Sequence, residues 1–363
     1  MITTYASSGV NIELGDDVSK ILYNAAKATW QNRAGKLGEV IVPFDDFSGV
    51  RAINVGNLPA GTLMNIGFDG VGTKVEIAER VGDHSTMAFD LLAMVCDDAV
   101  VRGAEPVLVG SILDVNSLSL EAVKQLAIGY VAAAKQANVA IVNGEVAELG
   151  SRVHGYGAFN YNWGAAVVWF VHKDKMFTGK EIKIGDSVVA LQETGFRSNG
   201  LSLTRKILAT SYGENWHTVK FNNSTLGQLA LTPSRIYSAA VVAMMNKTSV
   251  HGVVHVTGGG IPGKLGRVLK ASGFGAELTN LFAPCDLMLH CQAKGNVPDE
   301  EAYKTWNMGN GMLIITPEPE QIMSIAKQYN IKAQVAGKII SDKKINIKNK
   351  GYFQKQQSTL IFP

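Results

Sequence analysis

The sequence predicts an α/β (α+β) protein of two domains, and three observations carry that expectation. Its 363 residues, 46% of them hydrophobic, can bury more than one core. Runs rich in β-branched residues alternate with runs of helical period along most of the chain, the pattern of helices packed on mixed sheets. Midway, KDKMFTGKEIKIGD is charged, carries two glycines and separates two such mixtures, so it reads as a linker. The predicted domains are residues 1–172 and 173–345. Residues 346–363, within a Lys- and Gln-rich stretch from Lys343 to Pro363, read as a loosely attached tail.

In chain order, Asp16 or Asp17 is placed to cap a helix running to about Asn32, with Val18, Ile21, Leu22, Ala25 and Ala26 on one face. AGKLGEVIVPF then puts Gly35 and Gly38 in a loop, either a plain connection or a mobile lid over phosphates. TLMNIGF, Thr62 to Phe68, is a short strand that empties into Asp69, Gly70, Gly72, Thr73 and Lys74. Such a strand-end loop is often only a turn. It also holds what a nucleotide site needs: a carboxylate for a hard cation, glycines that let backbone approach a ligand, and two donors to phosphate oxygens. Ser85 is placed to cap a helix through Met87, Leu91, Met94, Cys96 and Val100, which sets Asp97 and Asp98 near its C-terminal half. The helix dipole disfavours carboxylates there unless a positive group compensates, which favours a metal.

VLVGSILDV is a strand, SLEAVKQLAIGYVAAAKQ a helix, VAIVNGEVAEL a strand running into a turn with Glu145 and Glu148, and GAAVVWFVH, ending at His172, a further strand. In the second half SVVALQE is a strand, TGFRSNG a polar loop, LSLTRKILATSY a helix, and LTPSRIYSAAVVAMMNK a helix with Pro233 in its first turn. HGVVHVTGGGIPGKLGRVLKASG is an apolar strand, three glycines and a helix whose N-terminus suits a phosphate. Gly258, Gly263 and Lys264 match all but the last position of the P-loop pattern. Leu265 stands where Ser or Thr must ligate Mg²⁺, so that pattern is excluded. WNMGNGMLIITPEPEQIMSIAKQYN gives a turn, a strand and a helix from about Pro317 and Glu318, and NIKAQVAGKII closes as a strand.

Charge and composition exclude several function classes. A net charge of +3 is small for this length and supports no nucleic-acid or membrane partner. No apolar stretch approaches the roughly 18 residues of a membrane span, and MITTYASSGVNIELGDD lacks the basic flank and apolar run of a signal peptide, so a cytoplasmic protein is expected. Cys96, Cys285 and Cys291 are odd in number and form no C-x-x-C, which favours buried free thiols over disulfides or zinc.

FDGVGTK and the D-x4-G-A-x-P run from Asp98 to Pro106 together resemble a superfamily of ATP-using enzymes. It holds aminoimidazole ribonucleotide synthetase, formylglycinamidine ribonucleotide synthetase, thiamine monophosphate kinase, selenophosphate synthetase and a hydrogenase maturation factor. The further order NGEVAEL, RSNGLSLTRKIL, LTPSRIY, HVTGGG, GNV and NMGNGM is similar to the aminoimidazole ribonucleotide synthetase family, over roughly residues 5 to 340. That resemblance implies a homodimer whose N-terminal-domain strands build an interface barrel, and a C-terminal domain covering an ATP groove. It implies ATP and Mg²⁺, a small ribonucleotide substrate, and ATP-dependent ring closure of formylglycinamidine ribonucleotide. Carried over by position, Asp69, Asp98 and Glu145 would ligate Mg²⁺. Gly70, Gly72, Thr73, Arg197, Asn199, Gly200, Thr257, Gly258, Gly259 and Gly260 would bind nucleotide or substrate, Lys74 would contact phosphate during catalysis, and His255 would be the acid/base.

The chain also departs from the family. Arg197 stands where the family has a His, Asn143, Val146 and Gly150 alter the Gly-Gly-Glu-Thr-Ala-Glu-Met-Pro run, and Asn116-Ser117-Leu118 lacks the family's Lys. Arg197 stays charged and cannot serve as a base, so it is expected to anchor a phosphate. Besides the cyclo-ligase, a diverged paralogue acting on another amide or ribonucleotide and a non-catalytic nucleotide-binding homologue stay open. The retained acidic residues argue against the last.

Overall fold

The computed structural model describes residues 12–41 and 52–363. The first eleven residues and the VPF end of AGKLGEVIVPF lie outside these. The chain divides into two compact units, Met1–Cys96 with Pro106–Phe170, and Asp97–Glu105 with Val171–Pro363. The segment read as a linker, 173–186, falls in the second.

The first unit runs α1 (Ile12–Thr29), β1 (Glu39–Ile41), β2 (Ala52–Asn54), β3 (Thr62–Gly70), α2 (Val75–Val81), α3 (Met87–Val100), β4 (Glu105–Val115), α4 (Leu120–Ala137), β5 (Ala140–Glu148) and β6 (Tyr161–His172). Asp97 and the residues after it in α3 count with the second unit. Four strands form one sheet in the order β3-β6-β4-β5, with β4 and β5 parallel as a helical crossover requires. That crossover is α4, which opens on a Ser119 side chain accepting from Ala122 N and closes on left-handed Asn138. Its Ala- and Leu-rich face is buried, and α1 packs against it and β5.

Three sequence expectations shift here. The helix α1 begins at Ile12, so Asp16 and Asp17 lie inside it rather than capping it. Ser85 precedes α3 by two residues and its hydroxyl donates to Asp83 instead, because Asp83 offers a nearer acceptor. Asp69 and Gly70 belong to β3, and Glu145 and Glu148 to β5, since the strands continue through their polar ends. Leu63, Met64, Ile66 and Phe68 of β3 are exposed in the single chain.

The second unit runs β7 (Ser187–Gln192), α5 (Leu201–Tyr212), β8 (Lys220–Phe221), β9 (Ser224–Thr225), α6 (Leu226–Ala230), α7 (Ser238–Lys247), β10 (Gly252–His255), α8 (Gly260–Leu269), β11 (Gly275–Leu278), α9 (Asp286–Lys294), α10 (Asp299–Thr305), β12 (Asn310–Thr316), α11 (Pro319–Gln328), β13 (Ala333–Ile340), β14 (Ile345–Lys348) and β15 (Thr359–Phe362). Its seven-stranded sheet has the order β10-β12-β7-β13-β11-β14-β15, antiparallel except for β11 beside β14. Every residue of β12 is buried. Val189, Leu191, Met312 and Ile314 of the sheet pack on Val241 and Met244 of α7 and Ile322 and Ile325 of α11.

Two corrections belong to this unit. Pro233 lies before the helix rather than in its first turn and α7 starts only at Ser238, because the backbone N–H groups of Tyr237 and Ser238 are drawn to the Asp97 carboxylate, at 2.9 and 2.8 Å. The expected loose tail is instead two strands of the sheet. Ile345, Ile347, Leu360 and Phe362 alternate inward and are buried.

Candidate functional site

The first unit gathers the FDGVGTK residues at the end of β3. A Cβ at Gly70 would stand 3.0 Å from the Trp163 carbonyl oxygen, and Val71 N donates to that same oxygen, so backbone contact with β6 demands the glycine. Gly72, at φ 66°, then turns the chain through a 3-10 turn into α2. Asp69 Oδ1 accepts from Gly70 N at 2.7 Å. Asp69 and Glu145 line one cavity of about 630 Å³, together with Ser111 and Asn143. Gly110, Gly144, Gly164 and Ala165 supply small walls that leave it open.

Thr73 is exposed at the start of this turn, whereas Lys74 is not. The Lys74 ammonium is fully buried and lies 2.8 Å from both oxygens of Asp90, itself fully buried. The charge of Lys74, expected to contact phosphate, is paired with Asp90 in the core, where an ammonium without a carboxylate would be costly. Among the described residues no three or more His, Cys, Asp or Glu side chains are gathered to hold a metal ion. Asp69 and Glu145 nonetheless fit Mg²⁺ chemically. That ion is commonly held by one or two carboxylates, with water and phosphate oxygens completing its shell.

The second unit brings together Asp97, Asp98, Glu193, Arg197 and His255. Arg197, at φ 60° and 1% exposed, sits in the loop after β7. Its NH1 donates to Glu193 Oε2 at 3.0 Å and the Arg235 carbonyl at 2.8 Å, and its NH2 lies 2.9 Å from Asp97 Oδ2 and 2.8 Å from His255 Nε2. Burial alone would lower the Arg197 pKa, but the Asp97 and Glu193 carboxylates carry it above its ordinary value. The guanidinium is thus always charged and wholly enclosed among protein partners. Asp97 is raised by burial, against Arg197 and the backbone donors of α7.

His255, at the end of β10, places Nδ1 2.6 Å from Asp98 Oδ1. Both ring nitrogens thus have partners, and the acid/base role expected for this ring finds neither one facing solvent; His255 is 3% exposed. The Asp98 side chain is 56% exposed. Burial raises the Asp98 pKa, yet the hydrogen bond from His255 and the nearby charges of Lys264 and Arg197 bring it below the ordinary value.

Around this cluster the two glycine loops meet. Gly258 lies beside Asn199, with Oδ1 3.5 Å from where a Cβ would be. Gly200, at φ 74°, starts α5 against Trp306, whose Nε1 donates to its carbonyl at 3.2 Å. Thr257 is buried, Gly258 and Gly259 are exposed, and Gly260, at φ 60°, starts α8 where any Cβ would run into the Tyr303 carbonyl. Glu193 and Asp90 were missed from sequence. Asp90 and Asp97 lie seven apart on the α3 face that also carries buried Met87, Leu91 and Met94, so each needed a buried cation.

Two family models cover this architecture. "AIR synthase related protein, N-terminal domain" matches residues 51–167, and its C-terminal counterpart matches 183–350. The chain belongs to the AIR synthase related family. Within it, the chain is 33% identical over 359 residues to a phosphoribosylformylglycinamidine cyclo-ligase of Pyrococcus horikoshii, covering 96% of this chain and 98% of that one. It is 34% identical over 342 residues to the enzyme of the same name from Carboxydothermus hydrogenoformans, covering 93% and 96%. Among solved structures, thiamine-monophosphate kinase from Stenotrophomonas maltophilia gives a TM-score of 0.61 at 13% identity, over 88% of this chain and 94% of that one. The HypE protein of E. coli gives 0.59 at 13%, over 89% and 92%. These two show that the AIR synthase related chain shares their fold.

Proposed function

We propose that the chain catalyses ATP-dependent cyclisation of formylglycinamidine ribonucleotide to aminoimidazole ribonucleotide, releasing ADP and phosphate. The observation that carries this is similarity of about one residue in three along nearly the whole length to relatives that all bear the cyclo-ligase name. Chemically, a formamide oxygen is a poor leaving group and its phosphate ester a good one. The γ-phosphoryl of ATP passes to that oxygen, the amidine nitrogen attacks the activated carbon, and the C–O bond breaks with loss of phosphate and a proton.

Such a transfer depends on positioning and charge more than on covalent help from the protein. Asp69 and Glu145, on one open cavity, are the carboxylates of the first unit that would hold Mg²⁺ with the nucleotide phosphates. When bound, that ion neutralises charge on the transferring phosphoryl. Asp98 is a third candidate. Thr73 and the backbone N–H groups at the start of α8, beside exposed Gly258 and Gly259, are donors suited to phosphate oxygens. Asn199 and Gly200 flank the same loop and suit substrate binding. A homodimer, working in the cytoplasm, completes the reading.

The test is a coupled assay for ADP release with and without formylglycinamidine ribonucleotide. Release that depends on this substrate is expected. ATP turnover indifferent to it would point to another amide or ribonucleotide. Asp69→Asn should abolish turnover with the fold unchanged; full activity at ordinary Mg²⁺ removes the residue from the metal site.

A further inference from the structure

A guanidinium has five N–H donors and no acceptor. Arg197 NH2 lies 2.8 Å from His255 Nε2, so that nitrogen must offer its lone pair, and the ring proton must be on Nδ1. Nδ1 is 2.6 Å from Asp98 Oδ1, so the ring donates that proton to the Asp98 carboxylate. The guanidinium is held in place, since Glu193, the Arg235 carbonyl and Asp97 engage three more of its donors at 2.8–3.0 Å. The backbone shows the same commitment. Arg197 occupies φ 60°, a conformation for which glycine is the natural choice, so the position keeps its side chain despite the backbone cost.

We propose that Arg197 is a tautomer lock: it fixes His255 as the Nδ1–H form, and His255 in turn is a positioning residue that aims the half-exposed Asp98 carboxylate. The pairing is that of a histidine whose ring hydrogen bond orients a carboxylate toward a cation or phosphate-bound water, here with a permanent charge behind the ring. What Asp98 then binds rests on the proposed function. The lock itself does not.

Two measurements separate these. The first uses the wild-type protein at neutral pH without nucleotide. Long-range ¹H–¹⁵N correlation spectra of the seven histidines should show one ring with Nδ1 protonated and Nε2 bare, a signal absent from His255→Asn. A His255 ring carrying its proton on Nε2 overturns the lock. The second compares His255→Asn, whose amide can still donate toward Asp98, with His255→Leu, which cannot. Binding of Mg²⁺ with a non-hydrolysable ATP analogue, followed by calorimetry, should fall within about threefold for Asn and by roughly 10–100-fold for Leu, the usual cost of removing such an orienting partner. Equal affinity in both variants with kcat down about 10²-fold in both would make His255 the acid/base and overturn the positioning role. If the wild type shows the expected tautomer yet binds no nucleotide, the proposed function fails while the lock stands. Should His255→Leu not fold, Arg197→Lys serves instead, because one ammonium can keep a carboxylate but cannot also reach Nε2, and the ring should then populate both tautomers.

Discussion

Lys74 and Asp90 form an ion pair from which water is fully excluded. Removing one member strips a buried charge of its partner, which costs about 3–5 kcal/mol, whereas replacing both by apolar residues of similar size is often close to neutral. Lys74→Met should therefore lower stability by that amount in urea titration, and Lys74→Met with Asp90→Leu should recover most of it. A stable Lys74→Met that has lost turnover would return this lysine to the phosphate site. At Asp98 the sign of the pH dependence is fixed by a folded-state pKa lowered from its ordinary 3.8. Such a group contributes stability above the unfolded value and loses it as pH falls through the folded one. Asn mimics the protonated acid, so Asp98→Asn should be less stable than wild type at pH 6, and the two urea midpoints should converge below pH 3.8. Parallel curves down to the lowest pH would mean that Asp98 has no net favourable environment in the fold.

At the level of elements, the glycines around α8 are not equivalent. Gly260 has φ 60° and no room for a Cβ beside the Tyr303 carbonyl, while Gly263, one turn on, has nothing within 4 Å. Gly260→Ala should lose at least about 1–2 kcal/mol from the backbone alone. Gly263→Ala should leave stability unchanged or raise it by about 0.5–1 kcal/mol, as a helix-interior alanine does. Comparable melting temperatures for the two variants would contradict the packing seen here. Elements were legible in the sequence where one period ran long enough: the apolar run of β12 and the capped, alanine-rich α4 announce themselves. Strands β14 and β15 did not, because each has four residues with only two turned inward, set among lysines and glutamines that read as solvent-facing. In the proposed site, Asp69 and Glu145 stand out in the sequence because glycines flank them, and both line one cavity. The burial of Arg197 is not legible in the sequence, because a phosphate anchor and a buried counter-ion look alike there and its partners Asp97 and His255 lie 100 and 58 positions away.

For the whole molecule, assembly turns on β3. It is an edge strand of its sheet, and Leu63, Met64, Ile66 and Phe68 are exposed on it, Phe68 at 74%, with Ile112 of β4 also exposed. A flat apolar edge of this kind invites pairing with another chain unless it is covered, and no charge or proline blunts it between Thr62 and Phe68. A second copy of the chain is the proposed cover, its like strands meeting about a two-fold axis. Sedimentation at micromolar concentration should give twice the chain mass. Phe68→Glu places a charge at the most exposed apolar position of the strand without touching the buried core, so it should yield a monomer with unchanged circular dichroism. Loss of turnover in that variant is expected as well, since Phe68 and Ile112 also line the cavity beside Asp69. A wild-type monomer that turns over ATP at these concentrations would leave the exposed face of β3 without the partner argued for here.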